Sequence, residues 1–590
     1  MSTNQVNAAK VTNVRKLPKK PRLAGLVQPE TEEQASERSP VVASQASLAS
    51  NEYGPSQGNG VSRKSAASVL VQLALDRYDL CVTADGEPYV VARPDRHVVR
   101  MLRGGKASLR AELSNAYFEA SGKAAPQQAL ADALLVVEGR CQAAHPVDVH
   151  LRVAEHGGAV FIDLGDAAEQ VVRVDVAGWT VLRAGVPVRF RRTELTGAMP
   201  VPVRGGSLDE LWRLVNVAER DRPLLLAWLV AALLRPNIPH PALGVFGEQG
   251  TGKSTASRTL VSLVDPSPVP LRKPPHDADS WVTAAQGSWA VGLDNLSNIP
   301  DWLSDSLCRA CTGEGDVRRA LYTDGGLTVF TFRRVVLLNG IDVGSLRGDL
   351  AERTMAISLD RITEQGRRTE AELDAQWHQL HPHLFGALLD LTARVKAVSA
   401  TLRLGSSPRM ADFALVLAAV DKALGTTGLA RYAEQASTMA TDTLDSEPFL
   451  VALRSPSLSN IFEGTAAELL TAARPTEDTW RPPRGWPGNA RQVTSLLKRN
   501  APALRSAGWT ITDLGNENKQ HAARWRIDRP EKACSDRSPT SPTSPKVRSR
   551  RLGREGVQGL LRAQLRTEQV RPATKSTPRI HTNGSGDEPW

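Results

Sequence analysis

Residues 247–254 read Gly-Glu-Gln-Gly-Thr-Gly-Lys-Ser, and the apolar run Leu243-Gly-Val-Phe246 stands directly before them. An apolar run that enters a glycine-rich turn and leaves it as a helix belongs in a parallel α/β sheet. In such a turn Gly247, Gly250 and Gly252 let backbone N–H groups point inward at phosphate oxygens, with Glu248, Gln249 and Thr251 filling the loop between them. Lys253 reaches the outer phosphates, and Ser254 opens the helix with a hydroxyl suited to Mg²⁺, followed by Thr255. Leu260, Val261 and Leu263 supply the face that packs this helix back on the strand. The segment predicts a site for ATP and Mg²⁺. A glycine-rich turn that binds nothing would leave Lys253 without a role.

With 590 residues, 41% of them apolar, the chain can build several buried cores. Its formal net charge of +10 sits at the ends: residues 1–22 hold six Lys and Arg and no acid, and residues 530–590 hold twelve against six Asp and Glu. Such tails either hold an anionic polymer loosely, through counterion release, or keep disordered ends in solution. Five cysteines are too few and too scattered for a disulfide framework, which fits a reducing bacterial cytoplasm. Cys308 and Cys311 fall in an expected helix, 301–310, and at its end, without a second Cys or His pair nearby, which argues against zinc. The apolar stretch 224–234 is too short to span a bilayer, and the basic N-terminus has no apolar signal core, so no membrane partner is expected.

Six segments follow from the patterning. Residues 1–64 read as a disordered basic tail. Residues 65–204 read as an α+β accessory domain, with strands flanking Asp85-Gly86, a helix over 127–138, and short β-like runs at 147–153, 159–164, 171–176, 179–182 and 186–190. Ser207-Leu-Asp-Glu210 has the form of a capping box and predicts a helix to about 220, and Asp221-Arg-Pro223 starts a second one to 234. The α/β core spans 205–360, a helical domain 361–455 and a further small domain 456–529. A disordered basic tail covers 530–590.

The strand expected over 289–293 ends in Asp294, which can hold Mg²⁺ through its waters. A second strand over 335–338 ends in Asn339, whose amide can orient the attacking water. Between them lies Cys311-Thr-Gly-Glu-Gly-Asp-Val-Arg-Arg-Ala-Leu-Tyr322, and after them Arg347-Gly-Asp-Leu-Ala-Glu-Arg-Thr354. This order over residues 205–360 resembles the superfamily 3 helicases, and within them the poxvirus-type primase-helicase ATPases of phages, plasmids and integrative elements. The resemblance implies an AAA+-like P-loop NTPase core, assembled as a homo-oligomeric ring on single-stranded or forked DNA. It also implies that Arg353 reaches the nucleotide of a neighbouring subunit. The plain alternative for Arg353 is an ion pair with Asp349 or Glu352.

Two features depart from that pattern. Asn295 stands where hydrolytic P-loop ATPases commonly carry a second acid, and an amide cannot act as a general base. Asp301 or Asp305 on the next helix could take the role. The hairpin with arms near 319–323 and 327–332 has an acidic tip, Asp324-Gly-Gly326, where the family usually places a basic residue. The nearby positives are Arg318, Arg319, Arg333 and Arg334.

Residues 456–529 resemble a winged helix, with helices expected at 462–473 and 489–499 and strand-like runs at 509–514 and 522–527. Arg491, Lys498, Arg499 and Lys519 would then meet DNA phosphates, while Trp509 and Trp525 fill the core. In the accessory domain Asp163 and Asp166 have the spacing closest to a priming site. Three residues apart on an extended segment they face opposite sides of the pleat, which argues against priming. The first reading is an ATP-dependent DNA helicase or replication-type ATPase of a mobile element or phage. The second is a regulatory or defence switch gated by ATP, with slow hydrolysis and no unwinding; a packaging or partition motor is the third.

Overall fold

The computed structural model describes residues 64–529, apart from 95, 103–107, 320–326, 331, 341–345, 347, 406–407, 456–457, 476, 478, 484 and 516–522. Both expected tails, the hairpin tip and Lys519 lie outside the described residues. The protein is a mixed α/β molecule built around one parallel sheet.

The N-terminal part opens with helix Ala66–Arg77, capped by Ser65, whose hydroxyl accepts from Ser68 N. Strands Tyr78–Val82 and Pro88–Ala92 pair across the Asp85-Gly86 turn, with Gly86 at a left-handed φ of 81°. Helix Gln127–Gln142 runs a turn beyond its expected end. A four-stranded antiparallel meander follows: Val153–His156, Ala159–Asp163, Val171–Asp175 and Gly178–Leu182. The run expected over 147–153 is broken, because Val149–His150 pairs instead with Arg189–Phe190.

The core begins with helix α1, Arg222–Leu234, with Pro223 in its first turn. Every residue from Leu224 to Leu234 is buried, so the most membrane-like stretch of the chain is a core helix. No helix among the described residues is long and apolar enough to cross a membrane. The strands are β1 (Ala242–Phe246), β2 (Leu271–Arg272), β3 (Ala290–Leu293), a hairpin β4 (Asp316–Arg319) with β5 (Leu327–Phe330), then β6 (Val335–Asn339) and β7 (Thr354–Ser358). The parallel sheet has the order β2-β3-β6-β1-β7, and the hairpin is a separate antiparallel pair. Helices α2 (Lys253–Val264), α3 (Ala278–Gln286), α4 (Asp301–Thr312) and the short α5 (Gly348–Ala351) connect the strands. Alternation of strand and helix leaves all five strand carboxyl ends on one edge, where ligands of open α/β sheets bind.

The helix expected over 207–220 is instead a six-residue 3₁₀ segment, Leu208–Arg213. The Ser207 hydroxyl accepts from Asp209 N, one residue short of a capping box, and Val217 leaves helical geometry to bridge Leu359. Beyond the sheet lie helices Glu370–Ser399, Ala411–Leu424, Gly428–Ser446 and Pro448–Ala452. One apolar core is shared by the meander, α1, the sheet and the first three of these helices, through residues such as Ile162, Trp228, Val245 and Phe385, while Phe449 and Leu450 of the fourth join the core of the C-terminal domain. Residues on both sides of position 204 contribute to it. Trp179 adds a polar tie, its indole N–H donating to Asp390 at 2.8 Å.

Candidate nucleotide site

β1 delivers the chain to the glycine-rich turn, and α2 leaves it. Gly250 and Gly252 have φ of 83° and 75°, left-handed values that residues with side chains seldom take, so the turn closes as it does because glycine stands there. Buried Thr251 donates its hydroxyl to Glu248 O at 3.0 Å and stiffens the loop. Lys253 Nζ donates to Gly247 O at 2.7 Å and Glu248 O at 2.8 Å, which holds the ammonium against the loop.

β3 and β6 are hydrogen-bonded neighbours, so Asp294 and Asn339 stand side by side at the sheet edge. Asn339 Nδ2 donates to Asp294 Oδ1 and to Ser254 Oγ, the latter at 3.2 Å, and Ser254 Oγ donates to Asp294 Oδ1 at 3.3 Å. Three residues from three elements thus form one triangle beside the loop. Asn339 is 2% exposed, and its Oδ1 is a buried acceptor without a partner among the described residues. An orphaned acceptor next to a carboxylate and a hydroxyl fits a hydrated Mg²⁺, which takes oxygen ligands and keeps several waters. Glycine N–H groups and the Lys253 ammonium fit the phosphates.

Asn295, after Asp294, has φ 57°, and its N–H donates to Asp294 Oδ1 at 3.0 Å. Leu296 N donates to Asn339 O at 3.0 Å, and a Cβ on Gly340 would lie 2.9 Å from Asn295 Cα. The backbone is therefore locked in the left-handed region, which Asn tolerates better than Glu. That gives a local reason for the amide at this position. Asp301 and Asp305 lie exposed in the first half of α4.

Some residues at this site carried no signal in the sequence. Asn216 Nδ2 donates to Thr251 O at 3.2 Å and also to Asp360 O, tying the loop to the chain after β7. Asp221, read as a helix start, is fully buried and accepts from Arg431 Nε at 2.8 Å and from Ser358 N at 3.0 Å. Both are contacts between segments far apart in sequence, and no local pattern announces them.

Arg353 precedes β7, whose first residue pairs with Ala242 at the start of β1. It therefore sits at the opposite end of the strands from the loop, about 16 Å away for five extended residues, and cannot reach the site of its own chain. Its guanidinium pairs with Asp349, with the side chain 14% exposed, and Asp349 also pairs with Arg409 at 2.6 Å. Burial would raise the Asp349 carboxyl, but hydrogen bonds from Arg353 and Cys308 outweigh it and hold it below the usual carboxylate range.

Other candidates are occupied structurally. Cys308 and Cys311 are buried free thiols, and no cluster of metal-ligating residues occurs among the described residues. Buried Asp163 takes Arg192 in a two-pronged pair, 2.9 Å from Nε and 2.6 Å from Nη2, while Asp166 Oδ1 accepts from Gln170 N at 2.8 Å. The side chains of Arg318 and Arg319 lie outside what is described. Arg333 and Arg334 are not on the hairpin arms but at their root, against backbone carbonyls.

In the C-terminal domain the helix expected over 462–473 is a strand, Ile461–Thr465, followed by helix Ala466–Ala472. Thr465 and Glu468 form a reciprocal capping box that starts the helix there, and the preceding residues pair with Arg524–Asp528. That strand also pairs with Thr510–Gly515, and helix Ala490–Ser506 completes the unit. Trp509 and Trp525 are buried. Arg491 is exposed, whereas Lys498 pairs with Asp513 at 2.9 Å and Arg499 with Glu447 at 2.8 Å.

Among curated proteins, none matches the chain. Similar solved structures include the apo C-terminal region of NrS-1, 12% identical with a TM-score of 0.33 over 78% of this chain and 99% of that one. Another is SCCmec type IV Cch, described as an active helicase, 11% identical with a TM-score of 0.35 over 77% of this chain and 93% of that one. Residues 208–442 match the family of the actinomycete integrative conjugative element replication protein, and residues 450–544 match the C-terminal domain of that RepA family. In two consecutive segments, then, this chain is similar to a replication protein of actinomycete integrative conjugative elements.

Proposed function

We propose that the chain is an ATP-dependent DNA helicase or remodelling ATPase that serves the replication of a mobile element in the bacterial cytoplasm. The observation that carries the reading is the Ser254–Asp294–Asn339 triangle beside a glycine-rich loop with Lys253. Bound ATP and Mg²⁺ would supply the phosphoanhydride and the charge that polarises it. Loop N–H groups from Gly247 to Thr255 and Lys253 bind the phosphates, Ser254 and Asp294 hold the metal, and Asn339 Oδ1 orients water. Arg353 lies at the far end of the sheet, which suits action on a neighbour in a ring, once it leaves Asp349. The C-terminal domain acts as a winged helix and contacts DNA through Arg491; its order of strand, two helices and two further strands supports this.

A second reading, an ATP-gated switch with slow hydrolysis, is favoured by two observations: Asn295 supplies no base, and Arg353 is held by Asp349. ATP turnover with and without single-stranded DNA, in the wild type, Lys253→Ala and Arg353→Ala, separates the readings. A motor shows DNA-stimulated turnover that both substitutions abolish. ATP binding with negligible turnover and no strand displacement rejects the motor in favour of the switch.

A further inference from the structure

At the root of the β4–β5 hairpin a cavity of about 320 Å³ opens between the accessory segment and the core, lined by His150, Asn237, Trp289, Phe332, Arg333 and Arg334 among others. The two arginines use part of their planar forks on carbonyls. Arg333 donates through Nε and Nη2 to Thr312 O, at 3.3 and 2.9 Å. Arg334 donates through Nε to Ala285 O and through Nη1 to Arg333 O, the latter at 2.7 Å. These contacts fix the orientation of both groups without neutralising either. Gly313 makes room for the arrangement, since a Cβ there would lie 2.7 Å from Arg333 Nη2, and the Phe332 ring carries the Arg334 guanidinium at 5.1 Å from its centroid.

Neither cation has a carboxylate within ion-pair distance among the described residues. The acids that act on them through space are Asp412 and Asp265, and Asp265 is already held by Arg152. Burial pushes the Arg334 guanidinium down to about 10 and shifts Arg333 the same way, the expected sign for buried cations lacking a full counter-charge. Arg333 Nη1 and Arg334 Nη2 have no acceptor among the described residues. His150, whose burial lowers its pKa and whose ring edge meets Phe190, and the exposed Asn237 add polar side chains without side-chain hydrogen bonds among the described residues to the same cavity. Two uncompensated guanidinium groups with neutral polar neighbours are the chemistry of an oxyanion site, because a bound anion offsets their desolvation.

We propose that this cavity is a phosphate-binding site at the hairpin root, where Arg333 and Arg334 grip one phosphoryl group of a nucleic-acid strand or of a free nucleotide. The strand arm rests on the DNA reading above; the free-nucleotide arm does not. The test measures anisotropy of a labelled single-stranded oligonucleotide across a salt series for the full chain, Arg334→Gln and Asn237→Asp. Arg334→Gln is expected to lower the slope of log affinity against log salt by about 0.7, the value for one single-strand phosphate contact. Asn237→Asp sets a negative charge at the exposed rim without removing a fold contact, and is expected to weaken binding about tenfold. ATP binding is expected to be unchanged in both.

A second arm follows the melting temperature with pyrophosphate. Because pyrophosphate also meets the 247–254 loop, the difference between wild type and Asn237→Asp is what counts. Equal oligonucleotide binding in the two chains, with weaker pyrophosphate stabilisation of Asn237→Asp, assigns the site to a free nucleotide. If the wild type binds no oligonucleotide, the DNA reading falls while the pyrophosphate arm still decides the site. If Asn237→Asp matches the wild type in both arms, the inference is overturned.

Discussion

Replacing Arg152 with methionine removes the cation from a buried ion pair that anchors the strand leading to Asp294. Arg152 is fully buried, with its Nε 2.8 Å from Asp265 Oδ1 and further N–H groups on Asp163 O and Gly197 O, each at 2.9 Å. Asp265 Oδ2 in turn accepts from Trp289 N at 2.8 Å and Ala290 N at 2.9 Å, where β3 begins. Methionine fills most of the volume but leaves a buried carboxylate without its counter-charge, a loss of about 3–5 kcal/mol. For a cooperative unit of 150–250 residues each kcal/mol shifts the midpoint by about 2–4 °C, so a melting temperature roughly 6–20 °C lower is expected. Adding Asp265→Leu removes the orphan charge but leaves two buried N–H groups unpaired, at about 1–3 kcal/mol each, so recovery is partial. Circular dichroism melts of the three chains provide the measurement. A loss under 2 °C for Arg152→Met, or full recovery in the double variant, would refute the reasoning.

Three further outcomes are expected. Burial pushes His240 and His381 down to about 3, so the unfolded chain binds protons that the folded chain refuses once pH falls below about 6.5. Stability is full above that pH and is lost toward pH 3, by about 2 kcal/mol per histidine at pH 5, and melts from pH 8 to 5 in wild type and His381→Gln should show the variant losing less. Asn295→Asp keeps a residue that tolerates φ 57° and supplies the missing acid, so ATP turnover should rise with ATP affinity unchanged; Asn295→Val should cost about 1–2 kcal/mol in a melt. Unaltered turnover in Asn295→Asp would show that another group limits hydrolysis.

The loop at 247–254 is legible as a glycine-rich turn after an apolar run, and the strands before Asp294 and Asn339 as short apolar runs ending in a polar residue. Their alternation with helices was enough to expect a parallel sheet. What misled was local capping chemistry without tertiary context. Ser207-Leu-Asp-Glu210 looks like a helix start, yet the bridge from Val217 to Leu359 holds the backbone extended. Residues 462–473 look helical throughout, but edge pairing with Arg524–Asp528 takes the first four or so into a strand. The positive charges of the hairpin and the C-terminal helix were equally visible, but their partners were not: Lys498 meets Asp513, Arg499 meets Glu447, and Arg333 and Arg334 turn inward at the hairpin root.

By itself the amino-acid order determined the geometry of the glycine-rich turn before α2, since glycines at left-handed φ and a lysine at the helix start are conditions that neighbouring residues meet alone. Tertiary structure decided which ionisable groups are neutralised and which stay available: Asp163, Asp221 and Asp265 lie buried against arginines, and Arg333 and Arg334 have no carboxylate within ion-pair distance among the described residues. The reason is that charge pairing falls off over a few ångströms, and for Asp221 with Arg431 and Asp265 with Arg152 that distance is set by how segments more than a hundred residues apart pack together.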